Sequence, residues 1–186
     1  MKNVCCIVNP VSGLKKSLKV YYEAKNHFKE SNFNTSLFIS KYPNHIKDYI
    51  SKIDKNVFDR IVIFGGDGTI NEVVNGLKDS NNLQSFKIGI IPTGSGNSVA
   101  HDTDLLDLKG AIQKSIGSNI MKMDVNQVDF DSFSRLSVSV LGWGMFSFGN
   151  IRAEKLRMLG PIRYDVASII TLLEKKIHKA EIKVDG

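Results

Sequence analysis

Three short runs, Val4-Cys5-Cys6-Ile7-Val8, Ile61-Val62-Ile63-Phe64 and Lys87-Ile88-Gly89-Ile90-Ile91, carry almost no polar alternation, and segments of helical periodicity separate them. A strand wetted on one face alternates apolar with polar residues; a strand that does not alternate is buried on both faces. Helices placed between such strands cover both faces when the strands run parallel and each crossover passes over the sheet. The pattern predicts a doubly wound α/β unit with a mainly parallel sheet. Its expected helix faces are Leu14, Leu18, Tyr21, Ala24 and Phe28; Ile46, Tyr49, Ile50 and Ile53; Ile70, Val73, Val74 and Leu77; and Leu105, Leu108, Ile112 and Ile116. Residues 36–39, SLFI, supply a further strand.

The pattern changes near residue 122. Residues 126–130 (NQVDF) and 135–144 (RLSVSVLGWG) follow one another without a helix, and the second alternates apolar residues with serine, as a half-buried antiparallel strand does. A helix through Val166, Ile169, Ile170 and Leu173 comes next, then a strand at residues 180–184, AEIKV. The expected domains are therefore an α/β unit at 1–122 and, at 123–186, the start of a β-rich domain, a sandwich, that breaks off at Gly186.

With 186 residues, 42% of them hydrophobic, the chain is long enough to bury a core. Its two cysteines, Cys5 and Cys6, are neighbours in a strand and point to opposite faces, which argues against a disulfide and for a reducing, cytoplasmic setting. No apolar run approaches the roughly 18 residues of a spanning helix, so any membrane contact is expected to be peripheral. The charge of +6, from 25 basic and 19 acidic residues, lacks the dense basic runs of nucleic-acid binders, and no nucleic acid is expected as partner. An anionic membrane surface, an ATP-like ligand and a merely solvated basic surface all fit that charge.

Ligands of open parallel sheets collect at the carboxyl ends of the strands, where strand-to-helix loops meet. Three such loops here are rich in glycine: Asn9 to Gly13 (NPVSG), Gly65 to Thr69 (GGDGT) and Pro92 to Asn97 (PTGSGN). Glycine lets backbone N–H groups approach a ligand closely, and with the following helix N-termini such loops favour phosphate. The chain has no GxxxxGK[ST] and no GxGxxG, so it carries neither a P-loop nor a standard dinucleotide fingerprint. HExxH, CxxC and GxSxG are absent as well, and His27, His45, His101 and His178 do not cluster in the sequence, so no protein-held transition metal is expected.

Asp67 has two readings: a local turn or cap residue, or a reactive carboxylate. Thr69-Ile70-Asn71-Glu72 has the form of a capping box, with Thr69 capping the helix and Glu72 reaching back. That would leave Asp67 free to take the proton of an attacking hydroxyl or to help hold Mg²⁺. Glu72 is open between capping and ligand contact.

Taken together, NPVSG, GGDGTINEVVNGL and PTGSGNSVA resemble the catalytic domain of the diacylglycerol kinase and sphingosine kinase superfamily. GGDGT alone is also similar to the loop of NAD kinases and phosphofructokinases. Residues 143–165, WGMFSFGNIRAEKLRMLGPIRYD, resemble the segment that enters the second domain of sphingosine and ceramide kinases. The resemblance implies an ATP- and Mg²⁺-dependent lipid kinase, acting at a membrane surface on a primary hydroxyl of a sphingosine- or ceramide-type lipid. Diacylglycerol kinase is the alternative. NAD kinase and a nucleotide-binding module without turnover are the remaining ones.

Carried over by resemblance, Asp67 is the catalytic base, and Asn9, Pro10, Val11, Ser40, Gly65, Gly66, Gly68, Thr69, Glu72, Gly94, Ser95, Gly96, Arg157 and Arg163 bind ATP. Asn150 falls where sphingosine kinases carry an aspartate against the amino-alcohol head of the lipid. An amide there loses a charge-assisted bond about twice as strong as a neutral one, which favours a ceramide-like or other neutral acceptor.

Overall fold

In the computed structural model, residues 2–142, 145–174 and 181 are described. The chain forms two compact units, residues 1–139 and 140–186. In the first, β1 (Lys2–Val8), β2 (Phe33–Ile39), β3 (Arg60–Gly65) and β4 (Lys87–Pro92) make one sheet in the order β2-β1-β3-β4. All three pairings are parallel. The connecting helices are α1 (Ser17–Glu30), α2 (His45–Ile50), α3 (Asp67–Asp79), α4 (Ser98–Asp102) and α5 (Leu108–Ile116).

Strand periodicity divides the core between the two faces of the sheet. Cys5, Ile7, Ile61 and Ile63 pack with Ile46 and Ile50 of α2 and with Ile70, Val73, Val74 and Leu77 of α3. Val4, Cys6, Val8, Val62 and Phe64 pack on the other side with Tyr21, Ala24 and Phe28 of α1 and with Leu108, Ile112 and Ile116 of α5. The doubly wound reading is borne out, and the adjacent cysteines do face opposite ways. Because the chain moves from β1 to β2 in one direction and from β3 to β4 in the other, the order reverses between β1 and β3. A crevice forms at such a switch point, outside the carboxyl ends of the strands.

Three helix boundaries differ from the expected ones: Ile53 lies past α2, which ends at Ile50, and two helices start later. Leu14 is exposed and lies before α1, because Gly13 at φ 54° and Lys15 at φ 59° turn the chain first. Leu105 precedes α5, whose start is set by Asp107: its carboxylate accepts from the Lys109 and Gly110 N–H groups.

β5 (Asn126–Asp129) and β6 (Ser134–Ser137) form the antiparallel pair expected from the serine alternation. They belong to the first unit, which continues to Ser139 rather than ending at residue 122. The reason is burial: Leu136 joins the cluster under α2 and α3, with Val125 and Val138 packed against it.

The described part of the second unit is helical: α6 (Met145–Lys155), a 3₁₀ turn (Arg157–Ile162) kinked at Gly160, and α7 (Arg163–Leu173). α7 is present as expected, but its buried residues are Arg163, Ala167 and Thr171, while Ile169 and Leu173 are exposed. The Arg152 guanidinium on α6 donates to Thr171 Oγ1 and pairs with Glu174, which selects that polar face. The expected AEIKV strand lies outside the described residues.

Candidate active site

The sheet brings the ends of its four strands to one edge, and with them Asn9, Pro10, Val11, Ser40, Gly65, Gly66, Gly68, Thr69, Glu72, Gly94, Ser95 and Gly96. After β1, the Asn9 side chain holds two loops at once. Its Oδ1 accepts the Val11 N–H at 3.2 Å, shaping the NPV turn, and its Nδ2 donates to Thr69 Oγ1 at 3.1 Å. Ser40 prolongs the β2 ladder, its N–H donating to Val8 O.

Beside it, the β3 loop presses directly on the β4 loop. A Cβ on Gly66 would lie 2.9 Å from the Gly94 Cα, and one on Gly94 would lie 2.5 Å from the Gly66 Cα. Backbone thus passes against backbone, which only glycine permits at both positions. Asn97, in the left-handed region at φ 55°, closes the β4 loop by accepting the Gly94 N–H and donating to the Gly94 carbonyl. Gly13 packs under Thr93, and the buried Ser17 and Thr93 hydroxyls share a 2.7 Å hydrogen bond.

Helix α3 begins at Asp67, with Gly66 as its N-cap and no side-chain cap. The expected capping box is therefore not formed. Thr69 is buried inside the first turn against Gly65, and the Glu72 carboxylate accepts the Ile46 N–H in the first turn of α2. Asp67 accepts the Ser98 N–H at 3.0 Å and the Val99 N–H at 3.1 Å. It is a cap after all, but for α4, from a different helix. The signal for this was not local, because donor and acceptor are more than thirty residues apart in sequence.

Two acidic residues of α3 thus satisfy the N-termini of two other helices. Each Asp67 oxygen accepts one of these N–H groups, so lone pairs remain on both. A Cβ on Gly96 would lie 3.3 Å from Asp67 Oδ2, and a Cβ on Gly68 would meet nothing within 4 Å, so the space beside Gly68 in the first turn of α3 is open. Among the described residues no three His, Cys, Asp or Glu side chains converge as a metal site. A single hard carboxylate beside glycine loops fits the way Mg²⁺ binds with nucleotides, through one or two carboxylates, phosphate oxygens and water.

The other three candidates belong to the second unit. Asn150 is exposed on α6, and the Arg157 side chain lies outside the described residues. Arg163 is buried, donates to the Tyr164 hydroxyl at 2.9 Å, lies over that ring and has Glu154 at 3.9 Å.

Residues 3–128 match the diacylglycerol kinase catalytic domain. The chain belongs to that family. It is 31% identical over 176 residues to sphingosine kinase 1 of Arabidopsis thaliana, covering 89% of this chain and 36% of that protein. To human ceramide kinase it is 28% identical over 199 residues, covering 97% of this chain and 37% of that protein. A crystal structure of a diacylglycerol kinase from Bacillus anthracis superposes with a TM-score of 0.54 at 25% identity, over 67% of this chain and 42% of that one. The chain therefore spans little more than a third of the length of these two kinases. Among the described residues no helix is long and apolar enough to cross a membrane.

Proposed function

We propose that this diacylglycerol kinase family chain carries the nucleotide side of an ATP-dependent lipid kinase whose acceptor is a primary hydroxyl of a sphingoid lipid. The observation that carries the reading is Asp67: a carboxylate fixed by two N–H groups at the edge where the GGDGT and PTGSGN loops meet. There the acceptor hydroxyl gives its proton to Asp67 while its oxygen attacks the γ-phosphorus. The bond from that phosphorus to the bridging oxygen breaks, and ADP leaves with the electron pair. Gly68, Gly94, Ser95, Gly96 and the Asn9-Pro10-Val11 turn are the proposed phosphate and nucleotide contacts, together with Ser40. Mg²⁺ beside Asp67 would neutralise phosphate charge. Arg157 and Arg163 as phosphate contacts, and Asn150 as the acceptor's contact, rest on resemblance to the family segment.

Relatives named sphingosine kinase and ceramide kinase support a sphingoid acceptor. Diacylglycerol is the second reading, favoured by the structural match to a diacylglycerol kinase. The test is radiolabelled ATP with sphingosine, ceramide and diacylglycerol micelles on the full-length protein, wild type and Asp67→Asn. A sphingoid product that falls at least about a hundredfold in Asp67→Asn, with ATP still bound, is the expected result. Wild-type turnover of diacylglycerol alone moves the acceptor assignment, and an equally fast Asp67→Asn enzyme removes the general-base assignment.

A further inference from the structure

Helix α3 carries a second row of polar side chains that the proposed chemistry does not use: Asn71, Asn75 and Lys78. Asn75 is buried, and its amide makes a two-way contact with one residue of β6. Its Oδ1 accepts the Leu136 N–H at 2.9 Å and its Nδ2 donates to the Leu136 carbonyl at 2.8 Å. One turn earlier, Asn71 Oδ1 accepts the Val138 N–H at 3.1 Å. One turn later, the Lys78 ammonium donates to Ser134 Oγ.

The three contacts keep a register. Four helical residues rise about 6 Å, and two strand residues rise about 6.8 Å, so asparagines at i and i+4 match successive outward-facing positions of an extended strand. Leu136 stands opposite Gln127 of β5, yet its N–H and carbonyl turn to the other edge, as in a non-hydrogen-bonded antiparallel pair. Asn75 therefore takes the place of a neighbouring strand, and the open edge of β6 is closed by a helix.

The apolar contacts of Ile70, Val73, Val74 and Leu77 bury one face of α3, and the hydrogen bonds accepted by Asp67, Thr69 and Glu72 anchor its first turns. Asn71 and Asn75 add directional bonds further along the helix, where the first-turn anchors do not reach. The same rod, 13 residues long, begins with Asp67 and Thr69. We infer that Asn75, assisted by Asn71, is a positioning residue for phosphoryl transfer: its strand-like grip on Leu136 acts with the first-turn bonds to set the rotation of α3, and so the placement of Asp67.

The kinetic half of this inference rests on the kinase reading; the structural half does not. Asn75→Ala and Asn71→Ala in the full-length protein are compared by amide hydrogen exchange and steady-state kinetics. Exchange at Leu136 is expected to accelerate selectively in Asn75→Ala, and exchange at Val138 in Asn71→Ala, with β1 and β3 amides unchanged. The kcat of Asn75→Ala is expected to fall about tenfold or more with KM for ATP within about twofold, because small misplacement of a reacting group is costly in rate. Asn71→Ala, which removes one bond, should fall less. Lost protection at Leu136 with kcat unchanged overturns the positioning role. Unchanged exchange in both variants overturns the grip itself. Should Asn75→Ala fail to fold, Asn71→Ala decides by the same two readouts. A wild-type protein inactive on every lipid defeats the kinase reading instead, and exchange then judges the grip alone.

Discussion

Gly66 and Gly68 flank Asp67 under opposite constraints. Gly66 has φ −111°, a backbone any residue adopts, so its requirement is space: a Cβ would strike the Gly94 backbone. Gly68 has open space around the position of a Cβ and sits in the first turn of α3. Gly66→Ala is therefore expected to cost about 1–3 kcal/mol through overpacking, read as a lower urea midpoint. Gly68→Ala should leave stability unchanged or raise it by up to about 1 kcal/mol, since alanine is the better helix former. If the open space beside Gly68 holds a phosphate, the same variant loses ATP affinity by calorimetry, about tenfold or more for a displaced charge-assisted contact. A Gly68→Ala protein that binds ATP as wild type does would remove Gly68 from the phosphate cradle.

Elements are joined here by polar side chains that reach another element's backbone. Arg60, buried at the start of β3, donates from Nη1 to the Ser115 carbonyl at 2.8 Å and the Gly117 carbonyl at 3.3 Å, satisfying the end of α5. Its guanidinium also lies over the Phe33 ring. Arg60→Met should lower stability by about 2 kcal/mol, because the buried Ser115 carbonyl and the half-buried Gly117 carbonyl lose a charged donor; chemical denaturation measures it. Such links mark the limit of what the sequence discloses. The faces of α2 and α3 were legible, since Ile46 and Ile50, or Ile70, Val73, Val74 and Leu77, repeat at helical spacing. The partners of Asp67, Glu72, Asn75 and Arg60 were not, because each lies on an element distant in sequence. Thr69 and Glu72 matched a local capping pattern, yet folding gave both to other elements: Thr69 to Asn9, Glu72 to Ile46.

For the whole first unit, the apolar runs disclosed the parallel sheet and hence the edge at which the loops meet. The inclusion of the β5–β6 hairpin was hidden, as it depends on Leu136 entering the core. The double winding has a further consequence at alkaline pH. Cys5 and Cys6 lie fully buried on opposite faces of the central strand β1. Burial pushes the Cys5 thiol from the usual 9.0 up to about 11, with its hydrogen bond to Tyr49 opposing the shift. Burial likewise raises Cys6 and Tyr49. As pH rises, the unfolded chain releases these protons before the folded one does. The stabilising contribution is therefore complete below about pH 9 and is lost as pH climbs through about 11. Each thiol ionised only in the unfolded state lowers stability by about 1.4 kcal/mol per pH unit. Urea unfolding followed by far-UV circular dichroism should give a midpoint that falls steadily across this window, with a shallower fall in Cys5→Ala. A flat midpoint, or an identical slope in Cys5→Ala, would show that the β1 thiols do not govern alkaline stability.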